Sequence, residues 1–134
     1  MGEARFHIGH LDEIDAVMGY EAVEGEWRPV RHQLGIESFG VNAWVADAGK
    51  LIIEEHDETT GRHEELYLVV RGRARFTLDG EDMGAPAGTL LAIHDPSVVR
   101  SAVAEEDGTA ILAIGTPCGE AFQVRDWEKR ELGD

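Results

Sequence analysis

The sequence predicts one all-β domain, a short double-layered β-barrel with a pocket inside. Three observations predict this fold. From Ile36 onward, short apolar runs follow one another, turn residues separate them at regular spacing, and only one segment of the chain has helical periodicity. The chain has 134 residues, 43% of them hydrophobic, which suits a single core. We therefore expect one domain over 1–134, made of an N-terminal arm (1–35), a barrel (36–115) and a C-terminal tail (116–134).

The arm contains the segment with helical periodicity. Four apolar residues fall on one face at helical spacing: Leu11, Ile14, Val17 and Met18. Acidic residues suit the start of such a helix, and Gly19 suits its end. This pattern predicts a short helix over 11–18, followed by an irregular segment over 20–35 that Trp27 and Pro29 fix onto the barrel.

The barrel strands come next in order, each bounded by turn residues. The Asp79-Gly80 pair is a strong tight-turn signal, and the tail from Phe122 to Asp134 is expected to form a short helix or to lie across the barrel. The predicted strands are Phe39–Ala46, Leu51–His56, Leu66–Val70, Ala74–Leu78, a small meander over 81–87, Thr89–Ile93, Val98–Ala104 and Thr109–Ile114.

Charge and composition exclude several classes of function. The chain has 27 acidic and 12 basic residues, a net charge of −15, which disfavours nucleic acid and anionic membranes and tolerates cationic partners such as divalent metals. Cys118 is its one cysteine, so an internal disulfide is excluded. Cys118 has no basic cluster beside it in the sequence, which argues against a catalytic thiol. No apolar run opens the chain between Met1 and His7, so we expect a cytoplasmic protein without a signal peptide.

The segment 66–70 bears on assembly. Leu66, Leu68 and Val70 alternate with Tyr67 and Val69, so both faces of this strand are apolar. One face belongs to the barrel interior. The other needs a second layer, which is either the N-terminal segment of the same chain or a second subunit, and we expect a homodimer.

The segment Glu65–Gly72 resembles the second half of the first sequence motif of the cupin superfamily, a glutamate followed by six residues and a turn glycine. The stretches Asp79–Glu81 and Pro86–Leu90 resemble the part of a cupin sequence that lies after this motif, with Gly88 opening the second motif. This resemblance spans roughly residues 45–115. It implies a cupin-type double-stranded β-helix, also called a jelly roll.

In cupins, a His-x-His pair, the glutamate and a histidine of the second motif hold a divalent metal. In this sequence the pair is absent, the second-motif position falls on Val99, and His94 stands near the rim where a proline is usual. The resemblance therefore implies an altered set for iron, manganese, nickel or zinc. Its members are two imidazoles and two carboxylates, His56, Glu58, His63 and Glu65.

Without a metal, an interior Glu65 needs a cationic partner, because burying an unpaired carboxylate is costly. The candidates for that partner are Arg31, Arg73, Arg75 and Arg100. We expect a ligand site formed by Glu65, Tyr67 and Arg100, in which an arginine would select a carboxylate or phosphate. Trp27, Trp44 and Phe76 are expected to be core residues.

Three functions remain open at this point. The first, which we favour, is a cupin that binds a small molecule in its pocket. The second is a metal-dependent enzyme of the oxygenase or isomerase type that uses the four-residue set. The third is a non-catalytic structural or interaction domain whose barrel is filled by side chains. The loop Thr59–Arg62 has a composition that would permit a lid.

Overall fold

The structure, a computed structural model, describes residues 4–133. Met1–Glu3 and Asp134, which the predicted domain includes, lie outside the described residues. The helices are α1 (Val30–Leu34) and α2 (Asp126–Leu132), with a 3-10 turn over Leu11–Glu13. The strands are β1 (Glu26–Arg28), β2 (Gly40–Ala46), β3 (Leu51–His56), β4 (His63–Arg71), β5 (Arg73–Leu78), β6 (Glu81–Pro86), β7 (Leu90–Ile93), β8 (Arg100–Ala104) and β9 (Thr109–Pro117).

The strands form two antiparallel sheets. One has the order β1-β2-β9-β4-β7 and the other the order β3-β8-β5-β6. One hydrophobic core joins them, with Tyr67, Val69 and Ile111 from the first sheet and Ile52 and Phe76 from the second. The predicted all-β, two-layered architecture is confirmed, although the hydrogen-bonded ladders do not close the sheets into a barrel.

Two turns have the glycine chemistry that the sequence predicts. Asp79 and Gly80 both have positive φ, 48° and 86°, as the tight turn between β5 and β6 requires. Gly72, between β4 and β5, has φ +74°, and a Cβ there would lie 2.8 Å from Cα of Thr109. Only glycine fits this second position, because both the backbone conformation and the space exclude a side chain.

The predicted helix over 11–18 is wrong. Only the 3-10 turn forms there, and the short N-terminal helix of this chain is α1, in the segment expected to be irregular. The backbone N–H of Val17 donates to the carbonyl of Trp27, 2.9 Å away, and that of Asp15 donates to Gln33. Eight residues are too few to hold a helix by themselves, so these tertiary hydrogen bonds decide the backbone conformation.

The outer face of β4 remains partly uncovered. Tyr67 and Val69 point into the core, whereas Leu66 and Leu68 on the opposite face are half-buried and Val70 is exposed. The N-terminal arm approaches this face through an ion pair of 2.7 Å between Arg71 and Asp12. The outer face of β4 is therefore apolar, as predicted, and residues 4–133 bury it only in part.

The C-terminal tail contains helix α2, and a short helix is one of the two conformations that the sequence predicts for it. A buried ion pair of 2.9 Å between Arg31 Nε and Glu128 Oε2 attaches this helix to α1. Within the described part of the chain, no helix has the length and apolar character needed to cross a membrane.

Candidate functional site

A cavity of about 420 Å³ lies between the sheets and the C-terminal segment. Its polar lining is mostly acidic, with six carboxylate side chains and two guanidinium groups. The carboxylates belong to Glu54, Asp57, Glu58, Glu65, Glu128 and Glu131, and the guanidinium groups to Arg125 and Arg130. A ligand with a net negative charge is therefore disfavoured in this cavity.

Strand β4 provides the inner wall of the cavity. Because alternate residues of a strand point to the same side, His63, Glu65 and Tyr67 all face inward and all line the cavity. Gly115 on the neighbouring strand leaves room for them, since a Cβ there would lie 3.2 Å from Cγ of Glu65. The predicted common face of His63 and Glu65 is thus present.

Arg100 is the cationic partner of Glu65. Its Nη1 donates to Oε1 of Glu65 at 2.5 Å, and the hydroxyl of Tyr67 donates to the same oxygen at 2.9 Å. No hydrogen bond engages Oε2 of Glu65 among residues 4–133, so this oxygen is available on the cavity side. Burial, followed by the nearby charge of Glu58, raises the pKa of Glu65 above its usual value, although Tyr67 and Arg100 act in the opposite direction.

Arg100 stabilises Glu65 from within the core and not from the cavity space. Its side chain is fully buried, and its Nε and Nη2 both donate to the carbonyl of Val98. It does not line the cavity, so it contributes to the predicted ligand site through Glu65 and does not touch the cavity space itself.

His56 and Glu58 form a second cluster at the cavity. The strand β3 ends at His56, as predicted, and the following loop brings Oε1 of Glu58 to 3.2 Å from Nε2 of His56. Nδ1 of His56 lies 2.7 Å from the carbonyl oxygen of Glu54. Because that oxygen only accepts, Nδ1 carries a proton.

The pKa of His56 reflects these contacts. Burial alone lowers it, but the hydrogen bonds with Glu58 and with the carbonyl of Glu54 raise the net pKa above the usual value of 6.5. Protonation of Nε2 would give a charge-assisted hydrogen bond with Glu58.

Arg125, at the N-terminal end of α2, contacts the carboxylate oxygen of Glu58 that does not face His56. Its Nη1 lies 3.2 Å from Oε2 of Glu58 and 3.4 Å from Nε2 of His63. Since a guanidinium only donates, Nε2 of His63 accepts and the ring is neutral. Burial and the charge of Arg125 lower the pKa of His63 accordingly.

Three of the four predicted metal ligands converge. Ligand atoms of His56, Glu58 and Glu65 all lie within 4.8 Å of one another, and this group of one imidazole and two carboxylates could hold a divalent ion. His63 is outside the group, because it faces Arg125. The donors fit a metal in kind and spacing, while a guanidinium already engages each carboxylate.

The other predicted partners of Glu65 lie elsewhere. Arg31 pairs with Glu128 and Arg73 pairs with Glu105, while Arg75 is exposed. His94 forms an exposed ion pair with Glu64 on the outer side of β4. Val99 is 39% exposed, and its neighbour Arg100 points inward in its place, opposite His56 in the strand register.

An aromatic wall faces the polar cluster. Trp27 and Phe76 are buried as predicted. Trp44 packs against the core as predicted, and it also lines the cavity together with Tyr20 and Trp127. The ring centroids of Tyr20 and Trp44 lie 6.1 Å apart. Burial, followed by the charge of Glu54, raises the pKa of Tyr20 to about 12, so its phenol stays protonated.

Sequence reasoning missed the cavity residues that come from outside the predicted barrel, together with one from β2. They include Tyr20, Asn42, Phe122, Arg125 and Trp127. Oδ1 of Asn42 accepts from the indole N–H of Trp27 at 2.9 Å, which leaves its amide N–H groups to the cavity. The aromatic residues and arginine between 122 and 127, in an otherwise charged tail, are the one local signal that indicated a role for this segment.

Solved structures similar to this chain are cupins. They include a cupin protein from Bacteroides fragilis, with 20% identity, a TM-score of 0.67 and coverage of 92% of this chain and 93% of that one. A cupin 2 conserved barrel domain protein from Salinispora arenicola has 18% identity, a TM-score of 0.64 and coverage of 84% and 89%. A sugar phosphate isomerase from Silicibacter pomeroyi has 19% identity, a TM-score of 0.65 and coverage of 80% and 73%.

No protein-family model and no curated protein matches the chain. At identities of 18–20%, the structural similarity is a similarity of fold. The chain has the cupin fold, which confirms the resemblance found in its sequence.

Proposed function

We propose that this protein binds a small hydroxylated molecule in its cavity. The observation that supports this most directly is the cavity of about 420 Å³ beside a carboxylate, Glu65, that Arg100 and Tyr67 hold in place with one oxygen free. Cavities of this size suit metabolite-sized ligands. A space of this volume also favours ligand binding over a domain filled by its own side chains.

The two walls support the class of ligand. The aromatic wall offers apolar faces for C–H groups, and the carboxylates of Glu54, Glu58 and Glu65 offer acceptors for hydroxyl groups. The amide N–H groups of Asn42 add donors. A sugar-like molecule satisfies both walls, and the name of one similar structure, a sugar phosphate isomerase, is in keeping with this class. The acidic lining favours an uncharged sugar over its phosphate.

Tryptophan fluorescence tests the proposal, because Trp44 and Trp127 line the cavity. We expect pentoses and hexoses to change the emission in a saturable way, and each matched phosphate ester to bind more weakly. Glu65→Gln and Tyr67→Phe should weaken binding about tenfold through loss of an acceptor or of its orientation. Glu105→Gln, at an exposed ion pair, is the control. No saturable change with any sugar or sugar phosphate would refute the proposal.

A metal-dependent activity of the isomerase or oxygenase type is the second candidate. The convergence of His56, Glu58 and Glu65 within 4.8 Å favours it. In such an enzyme these three residues would hold the ion, and the ion would act as a Lewis acid on a substrate oxygen. Elemental analysis of the purified protein beside Glu65→Gln tests it. Stoichiometric iron, manganese, nickel or zinc that the variant loses would support it, and metal-free protein even after reconstitution would retire it.

We also propose that the chain forms a homodimer through the outer face of β4. Leu66 and Leu68 are half-buried there, and Leu90 on the adjacent strand is 65% exposed. Leu90→Asp should shift the mass measured by light scattering from dimer to monomer, because it places a charge in an apolar interface. A wild-type protein that is monomeric at high concentration would contradict this proposal.

A further inference from the structure

Arg125 lies against the atoms that a metal ion would use. Its Nη1 is 3.2 Å from Oε2 of Glu58 and 3.4 Å from Nε2 of His63. We infer that Arg125 acts as an internal cation that competes with a divalent ion, and that the four-donor set of His56, Glu58, His63 and Glu65 assembles only when Arg125 withdraws. This inference rests on the second candidate function, the metal site.

The competition concerns the same lone pairs. A guanidinium donates hydrogen bonds only, so the lone pair of His63 Nε2 points towards Arg125. A metal ion bound by His63 through Nε2 would need that lone pair, and one bound by Glu58 would share its carboxylate with the guanidinium. Because arginine keeps its charge at all physiological pH values, no change of pH removes this competitor. Its side chain must move.

Gly61 provides the space in which the guanidinium lies. A Cβ at this position would lie 2.5 Å from Cζ of Arg125, closer than non-bonded atoms approach. The backbone of Gly61 is outside the left-handed region, so alanine there would not strain the main chain. Gly61→Ala therefore displaces the guanidinium of Arg125 without changing the charge of the protein.

Arg125 belongs to a segment outside the two sheets, and Trp127 of this segment packs against Trp27, with ring centroids 5.1 Å apart. The N–H of Cys118 donates to the carbonyl of Arg62, and Glu128 pairs with Arg31. The side chain of Arg125 itself is 26% exposed. The competing cation can therefore leave Glu58 by a side-chain rotation, while the donors on β4 stay in place.

Calorimetric titration with Mn²⁺ and the visible absorption of added Co²⁺ test this inference on the full-length, metal-free protein. The variants are Arg125→Gln, Gly61→Ala and the double variant Arg125→Gln/His63→Ala. Arg130→Gln is the matched control, because Arg130 lines the same cavity at its exposed rim and the substitution removes the same charge. Thermal unfolding of each variant confirms that it is folded.

We expect Arg125→Gln to bind metal at least about tenfold more tightly than wild type, and Arg130→Gln to gain less than about threefold, since its charge is screened by solvent. Gly61→Ala should also bind more tightly. The double variant should lose most of this gain in affinity. Its Co²⁺ spectrum should differ from that of Arg125→Gln, because the double variant lacks the His63 ligand.

Equal gains in Arg125→Gln and Arg130→Gln would overturn the inference, since charge alone would then explain both. Tight binding by wild type that Arg125→Gln does not improve would overturn it while supporting the metal site. Absence of metal binding in all variants would overturn both the inference about Arg125 and the proposed metal site. Binding of sugars to the same cavity, measured separately by fluorescence, would still stand in that case.

Discussion

Two of the arginine–glutamate pairs beside the cavity, Arg100–Glu65 and Arg125–Glu58, are built differently. Arg100 and Glu65 both belong to strands, and the Arg100 side chain is 0% exposed. Arg125 and Glu58 belong to the C-terminal segment and to a loop, and the Arg125 side chain is 26% exposed. The first pair is therefore part of the core, whereas the second joins two segments at the edge of the cavity.

Because of this difference, removing one partner should reduce the free energy of unfolding by different amounts at the two pairs. Removing one partner of a buried pair leaves the other charge buried and unpaired, which is strongly unfavourable. Removing one partner of a partly exposed pair, such as Arg125–Glu58 with side chains 26% and 12% exposed, lets water reach the remaining charge. Substitutions at the two pairs should therefore separate stability from adjustable binding. Two of the four predictions below test these pairs directly, and the other two concern the Arg31–Glu128 pair and the histidines beside Glu58.

Arg100→Met should have the largest effect. It leaves Glu65 buried without its cation and should reduce the free energy of unfolding by about 3–5 kcal/mol, measured by urea denaturation. Arg73→Met, at the exposed pair with Glu105, is the control and should cost less than about 1 kcal/mol. A similar small loss in both variants would mean that the Arg100 pair is not part of the core. Adding Glu65→Leu to Arg100→Met should restore part of the loss.

Glu128→Gln should have the next largest effect. It leaves Arg31 buried beside a neutral amide at the contact that attaches α2, so we expect a loss of about 2–3 kcal/mol. Proteolysis near residues 118–132 should become faster, because α2 detaches locally. Glu131→Gln, on the same helix and exposed, is the control. Unchanged proteolysis in Glu128→Gln would show that other contacts attach the helix.

Arg125→Gln should change stability by no more than about 1 kcal/mol, because the pair with Glu58 is partly solvated. Urea denaturation beside Arg130→Gln measures this. A loss of the size expected for Arg100→Met would remove the distinction between the two pairs and would make Arg125 a structural residue.

The smallest predicted effects are pH dependences of opposite sign at the two histidines beside Glu58. The pKa of His56 is raised, so its stabilising contribution is complete below about pH 6.5 and is lost as the pH rises through the folded-state pKa. The pKa of His63 is lowered, so its protonation destabilises the fold as the pH falls below about 6.5.

Urea denaturation between about pH 5.5 and about pH 8.5 measures both effects. His56→Gln should flatten the loss of stability towards high pH, and His63→Gln should flatten the loss towards low pH. His7→Gln, at an exposed position, is the control. Slopes of the same sign in both variants would contradict a raised pKa of His56 together with a lowered pKa of His63.

Much of the fold was predictable because its signals are local. The strand predicted at Leu51–His56 has those limits in the structure, and the one predicted at Leu66–Val70 lies inside the longer β4. The tight turn at Asp79-Gly80 results from two residues that tolerate positive φ. The helix over 11–18 failed for the opposite reason, because hydrogen bonds to Trp27 and Gln33 replaced its own.

The candidate site was predictable only in part. The alternation along β4 placed His63 and Glu65 on one face, and the crowding of His56 and Glu58 at the end of β3 pointed to the same cavity. Arg125 was missed, because nothing in the charged tail specifies which carboxylate it reaches.

The sequence by itself determined the strands, their turns and the need of Glu65 for a partner, since these depend on residue types and on spacings of a few residues. Only the tertiary structure decided that Arg100 meets that need from 35 residues away, and that Arg125 reaches Glu58 across 67 residues. Pairing over such separations depends on how the two sheets and the C-terminal segment pack. Packing of that kind is a property of the whole core, and no local pattern encodes it.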